Sequence, residues 1–131
     1  MILGLGVDAC SIERMERHVN SPYFEKRVFM SQEREYAKSR GCPARHFAGA
    51  FAAREAFAKA TGMGLGKVGL QGCWVERTSR GPLLRLSEEN KEILRSRGVR
   101  RVFLSITHEE NLAVAVVILE GEVPGGEEDM L

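Results

Sequence analysis

The spacing of apolar and polar positions along this chain changes repeatedly, and each change marks an element. Over residues 2–8 the residues alternate: Leu3, Leu5 and Val7 share one face, and Ile2, Gly4, Gly6 and Asp8 share the other. This predicts a buried first strand whose glycines leave space beside Asp8 for another group to approach. Helical spacing follows. Ser11 stands where it can cap a helix with Ile12, Met15 and Val19 turned inward and Glu13, Arg14, Arg17 and His18 outward. Asn20-Ser21-Pro22 breaks that helix, and Pro22 suits the first turn of a short one carrying Phe24 and Val28. Ser31 is a cap for a third helix over residues 32–39, ended by Gly41 and Pro43. An alanine-rich segment from about residue 48 to residue 61 then reads as a strong helix, with Phe47, Phe51, Phe57 and Ala58 available for its apolar sides.

Beyond Gly62-Met-Gly-Leu-Gly66 the spacing becomes that of strands. Cys73-Trp-Val-Glu-Arg-Thr78 and Leu83-Leu-Arg-Leu86 predict two strands joined around Gly81-Pro82. Ser87-Glu-Glu-Asn begins a helix with acids in its first turn, and Arg95 and Arg97 close it before Gly98, as the helix dipole favours. Residues 101–107 and 112–119 form the clearest strand pair, turning through His108-Glu-Glu-Asn111. The expected class is α+β, a mostly antiparallel sheet packed with helices. A single domain is expected over residues 1–120, followed by an acidic tail, 121–131, that is expected to fray.

The chain has 131 residues, enough for one domain that buries roughly two thirds of its unfolded surface. A formal net charge of +1 supplies no global field towards nucleic acid or an anionic membrane, so any basic function is local. Cys10, Cys42 and Cys73 are widely spaced and odd in number. That argues against a disulfide framework and a zinc site, and free thiols point to the reducing cytoplasm. The apolar N-terminal run meets a charge at Asp8 and lacks a basic flank, which excludes it as a signal or membrane span.

Asp8 ends an apolar strand, where a carboxylate needs a partner: it caps the next helix or belongs to a ligand site. Glu55 and Lys59 lie four residues apart on one helical face. They are either an exposed ion pair worth a few tenths of a kcal/mol or a metal and phosphate pair. Asp8 with Glu55 would suit Mg²⁺, which takes oxygen ligands and keeps waters and substrate phosphates in its shell. Gly62, Gly64 and Gly66 resemble a phosphate loop but follow a helix C-terminus, whose dipole has the wrong sign, so capping suits Gly62 better. Arg14, Arg17 and His18 form a basic patch that serves solubility or an acidic protein partner. His108 is either structural or a donor or base near phosphate.

Three segments occur together in one order and approximate spacing. They are Gly4-Leu-Gly-Val-Asp8 with Ile12-Glu-Arg14, Phe51-Ala-Ala-Arg-Glu-Ala-Phe-Ala-Lys59 with Gly62 and Gly64, and Leu104-Ser-Ile-Thr-His108 with Ala113-Val-Ala-Val-Val-Ile118. Together they resemble the holo-acyl-carrier-protein synthases, small bacterial 4'-phosphopantetheinyl transferases of fatty acid synthesis. The resemblance implies transfer of phosphopantetheine from coenzyme A to a serine of apo acyl carrier protein, releasing adenosine 3',5'-bisphosphate. It implies Mg²⁺ on Asp8 and Glu55, and Lys59 against the phosphates as a third catalytic group. Coenzyme A contacts are implied for Arg54, Lys59, Gly62, Gly64, Thr107 and His108, and carrier contacts for Arg14 and Arg17. Homotrimers with sites between adjacent subunits are implied as well. Two positions depart from the family pattern. Gly49-Ala-Phe51 stands where a basic residue is common in the middle, so that one phosphate contact is either missing or supplied by Arg45, His46 or Arg54, and Gly62-Met-Gly64 replaces Gly-Thr-Gly. These departures sustain a second reading, a noncatalytic module that binds coenzyme A or the carrier; a magnesium phosphohydrolase is a third.

Overall fold

The computed structural model describes residues 1–123. Strand β1, Ile2–Ser11, leads into three short helices: α1, Ile12–Val19; α2, Pro22–Val28; and α3, Ser31–Lys38. The long helix α4 runs Pro43–Thr61, followed by a single turn, α5, Leu65–Val68. Strands β2, Cys73–Thr78, and β3, Gly81–Leu86, form a hairpin. Helix α6, Glu88–Ser96, then leads to β4, Val99–Glu109, and β5, Leu112–Gly121. The sheet order is β1-β5-β4, antiparallel throughout, with β2-β3 as a separate pair. The α+β expectation therefore holds.

The centre of the fold is the seating of α4 on the sheet. Gly4 and Gly6 do face the same side as Asp8, and the group that uses their space is the backbone of α4. A Cβ at Gly6 would stand 1.9 Å from the Ala56 carbonyl oxygen, and one at Gly4 would stand 2.3 Å from that of Ala60. Ala113, Ala115 and Val117 of β5 lie beneath the same helix, none of them exposed. Ala52, Ala53, Ala56 and Phe57 meet them from above, also fully buried. Small side chains on both surfaces let helix and strand approach closely, and the remaining core residues fill the edges.

Several boundaries differ from the sequence expectation for identifiable reasons. Helix α4 begins at Pro43, five residues before the expected start. Proline there does not end a helix; it occupies the first turn, where its missing N–H costs nothing. The cap of α3 is Met30 rather than Ser31, because Glu33 accepts a hydrogen bond from the Met30 N–H at 2.9 Å. Strands β4 and β5 run further than expected, so the turn reduces to Glu110 and Asn111, with Glu110 at φ 53°. That turn clamps α1: Asn111 accepts from the backbone N–H of Ile12 through its carbonyl and from that of Glu13 through its side chain, at 2.9 and 2.8 Å. Ser11 caps α1 as expected, accepting from the Arg14 N–H.

The first strand is not buried on both faces. Leu5 is 63 % exposed and Val7 53 %, and Phe103 of β4 is 50 % exposed on the same outer face. Between them run the half-buried Val116 and Ile118, paired in register with Val7 and Leu5. No element of the described chain covers this face. The expected fraying of the tail falls mostly on residues 124–131, outside the described residues; Gly121 itself completes β5.

Gly6→Ala tests the helix seating. The added methyl meets backbone rather than a movable side chain, so α4 must shift and about 3 kcal/mol or more of stability is lost. Thermal unfolding should show a midpoint lowered on the order of 10 °C; an unchanged midpoint contradicts this packing.

Candidate active site

Helix α4 and strand β1 bring together residues far apart in sequence. A cavity of about 320 Å³ is lined by Asp8, Cys10, Arg14, Phe24, Phe51 and Glu55, with Met15 and His18 completing its α1 wall. Asp8 comes from β1, beside the glycines that admit α4, and Glu55 from the side of α4 that faces it. The floor is apolar and the mouth charged.

Lys59, one turn beyond Glu55, does not form the expected ion pair with it. Its ammonium donates to Asp8 Oδ1 at 2.8 Å and to the Val7 carbonyl at 3.2 Å. Asp8 is the more buried partner, and among the described residues Lys59 is its one ion-pair partner. The hydrogen bond to Asp8 and its charge raise the Lys59 pKa, keeping the group cationic. Glu55 has no ion pair among the described residues. Cys10 is no nucleophile: burial first, and then Asp8, raise its thiol pKa.

Arg54 is corrected outright. It is fully buried within the chain. Its guanidinium donates to both Glu33 carboxylate oxygens, at 2.6 and 2.8 Å, to the Ala50 carbonyl at 3.0 Å and to the Leu70 carbonyl at 2.6 Å. Glu33 also accepts from the Val75 N–H at 2.9 Å. This pair ties α3, α4, the segment after α5 and β2 together, so an arginine in the motif is structural rather than cofactor-binding.

Gly62 is the C-cap of α4 at φ 72°, and its N–H donates to the Lys59 carbonyl, as the capping reading expected. Gly64 also has positive φ, 78°, and precedes α5; neither glycine lines the cavity. Met63, the departure from Gly-Thr-Gly, packs against the core. Arg17 stands outside the cavity and pairs with Glu13 at 3.3 Å, both side chains well exposed. His18 takes the place beside Arg14, its ring stacked on Phe24 with centroids 5.0 Å apart. Its spacing of four from Arg14 was the available signal.

Thr107 and His108 lie elsewhere. His108 pairs across the sheet with Ala113, which pairs with Cys10, so two strand spacings, about 10 Å, separate it from β1. The position of a Cβ at Gly49 is 3.8 Å from His108 Nε2, which places the histidine against the N-terminal half of α4. Beside it stands His46, with ring centroids 5.9 Å apart. Burial first, then the Arg77 charge and the other nearby cations, lowers the His46 pKa to about 4. The His108 pKa is lowered by burial and then by Arg45 and Arg77. Among the described residues no helix is long and apolar enough to cross a membrane.

Comparison with known proteins identifies the family and the fold. Residues 4–117 match the family model of the 4'-phosphopantetheinyl transferase superfamily. The chain is 41% identical over 125 residues to a holo-(acyl-carrier-protein) synthase of Syntrophus aciditrophicus, covering 92% of this chain and 98% of that one. Its fold matches the crystal structure of the Neisseria meningitidis holo-(acyl-carrier-protein) synthase with a TM-score of 0.83 at 32% identity, over 92% of this chain and 99% of the other. The Bacillus anthracis enzyme, crystallised with CoA (3',5'-ADP), matches with a TM-score of 0.76 at 36% identity, over 93% and 99%. With the family model, the relatives and the fold in agreement, the chain belongs to the 4'-phosphopantetheinyl transferase superfamily.

Proposed function

We propose that this transferase moves the 4'-phosphopantetheine group of coenzyme A onto a serine of apo acyl carrier protein, with Mg²⁺ held by Asp8 and Glu55. The observation that carries the reading is the meeting of Asp8 and Glu55 on one cavity, with Lys59 hydrogen-bonded to Asp8 and Arg14 on the rim. The donor set fits the ion. Among the described residues no cluster of three or more His, Cys, Asp or Glu side chains stands ready for a metal. Two carboxylates that leave the remaining positions to water and phosphate oxygens are the shell magnesium accepts. When bound, the ion neutralises charge developing on the phosphate oxygens and on the leaving adenosine bisphosphate.

The chain's own residues supply the rest. Lys59 provides a point charge at the pyrophosphate, held ready by Asp8 and the Val7 carbonyl. The apolar floor of Met15, Phe24 and Phe51 limits water beside the reacting groups. The serine attacks the phosphorus on the pantetheine side, its proton passing to a carboxylate or water at this site, and the P–O bond to the adenosine bisphosphate breaks. Arg14 faces the incoming acidic carrier surface, with Arg17 behind it.

Assembly as a homotrimer is part of the same proposal. The exposed apolar face of Leu5, Val7 and Phe103 is the kind of surface that copies of a chain cover in each other. Glu55 and His46 are nine residues apart, half a turn out of phase, and so point to opposite flanks of α4. A coenzyme A that touches both the Asp8 and the His108 flanks is then served by two adjacent subunits.

Transfer, metal site, docking and assembly each have a test. Intact-mass analysis of apo carrier protein incubated with enzyme, coenzyme A and Mg²⁺ should show the phosphopantetheine added. Asp8→Asn and Glu55→Gln should each lower kcat on the order of a hundredfold with the fold retained. Coenzyme A binding without transfer would favour the noncatalytic module instead. For the docking surface, Arg14→Glu should raise the carrier KM about tenfold and Arg17→Glu by less than Arg14→Glu, coenzyme A KM being little changed; a reversed order contradicts the rim assignment. Light scattering should give three times the 14.6 kDa chain mass. Phe103→Glu should dissociate the assembly, and a wild-type monomer at micromolar concentration would remove the trimer.

A further inference from the structure

Strand β1 passes into α1 without a linking residue: Ser11 ends the strand and is also the cap of the helix. No loop of fixed length sets the direction of α1, which falls to whatever holds its first turn. The N–H groups of that turn have no partners inside the helix. The Ile12 N–H donates to the Asn111 carbonyl at 2.9 Å, and the Glu13 N–H to Asn111 Oδ1 at 2.8 Å. The Arg14 N–H donates to Ser11 Oγ at 3.1 Å, and Asn111 Nδ2 donates to that same oxygen at 3.2 Å. One residue from the far end of the chain thus holds both the start of the helix and its cap.

The helix depends on such a clamp. Its eight residues make about two turns, too few to persist on their own. Ile12 and Met15 are its buried residues, and they fix how deeply α1 sits rather than where its first turn points. The turn that supplies Asn111 is itself strained. Glu110 stands at φ 53°, a left-handed conformation that a residue with a Cβ rarely adopts. Such strain persists where surrounding contacts over-determine it, and the bonds from Asn111 to Ser11, Ile12 and Glu13 are those contacts. The first turn of α1 carries Arg14 to the wall of the Asp8–Glu55 cavity. The other groups at that cavity are held differently. Asp8 sits in the β1–β5 ladder opposite Ala115, and Glu55 and Lys59 stand on α4.

We propose that Asn111 is a positioning residue for the transfer reaction, setting through the first turn of α1 where Arg14 meets the acidic carrier surface. This role rests on Arg14 as a carrier contact. Among the described residues the hydrogen bonds of the Asn111 side chain go to Ser11 and Glu13, none to Asp8, Glu55, Lys59 or His108. Asn111 therefore acts on carrier docking and leaves coenzyme A binding alone. A loosened first turn lets Arg14 leave the rim, so the docked complex loses a charge contact for part of the time.

Steady-state kinetics on the whole chain, with carrier and coenzyme A varied separately, test this. Asn111→Ala should raise the carrier KM about fivefold, the effect of losing one net hydrogen bond, and change the coenzyme A KM by less than about twofold. Ser11→Ala removes the shared acceptor from the other side and should raise the carrier KM with the same selectivity. In an Arg14→Ala chain, which has already lost the docking charge, Asn111→Ala should add little to the carrier KM. Equal rises in the two KM values for Asn111→Ala and Ser11→Ala mark a purely structural role and overturn the proposal. An undiminished effect in the Arg14→Ala chain means that Asn111 does not act through Arg14, and overturns it as well. If Arg14→Ala leaves the carrier KM unchanged, the docking role of Arg14 falls and that of Asn111 with it. If Arg14→Ala raises the carrier KM while Asn111→Ala does not, the positioning role alone is lost.

Discussion

Everything in this fold that bears on function follows from how closely α4 lies on β1. Gly4 and Gly6 remove the side chains that would keep the helix away, and the Ala56 and Ala60 backbone occupies the space they leave. Side chains at positions 4 and 6 would meet the α4 backbone and push the helix, with Glu55, away from Asp8. Here they share one cavity, and Lys59 reaches across to the strand. The glycines therefore act on the chemistry without touching it. They trade backbone entropy and side-chain packing at two strand positions for the convergence of two carboxylates.

The same helix is held from its other side by the Arg54–Glu33 pair. A buried ion pair is not in itself strong evidence for stability, but breaking one leaves an uncompensated charge that costs about 3–5 kcal/mol. With every Glu33 oxygen committed to Arg54 and to backbone N–H groups, the pair fixes α3, β2 and α4 relative to one another. One helix thus presents Glu55 on one flank and His46 on the other. The outer face of the sheet, with Leu5, Val7 and Phe103, stays uncovered by the described chain.

How far the sequence alone led depended on whether a feature was local. The β1 alternation, the Ser11 and Ser87 caps and the Gly62 cap were all readable, because each depends on neighbours within a turn or a strand pair. Pro43 was misread because proline both ends one helix and starts another, and only tertiary packing selects which. Glu55 and Lys59 share a helical face, yet the lysine pairs with Asp8, a partner that helical spacing cannot reveal. Arg54 lies within the most recognisable motif and is nonetheless buried, paired with Glu33 from another helix. His46 was named from the sequence, but its meeting with His108 and Arg77 was not readable, since it exists only across α4, β2 and β4.

The central claim is that close helix seating creates a metal site from Asp8 and Glu55 that is completed by coenzyme A phosphates. Water-proton relaxation with Mn²⁺ in place of Mg²⁺ measures this directly, with and without coenzyme A. The wild-type chain should show a saturable enhancement that strengthens when coenzyme A is added, and a chain carrying both Asp8→Asn and Glu55→Gln should show neither. Equal enhancement in the two proteins would place the metal elsewhere and contradict the account.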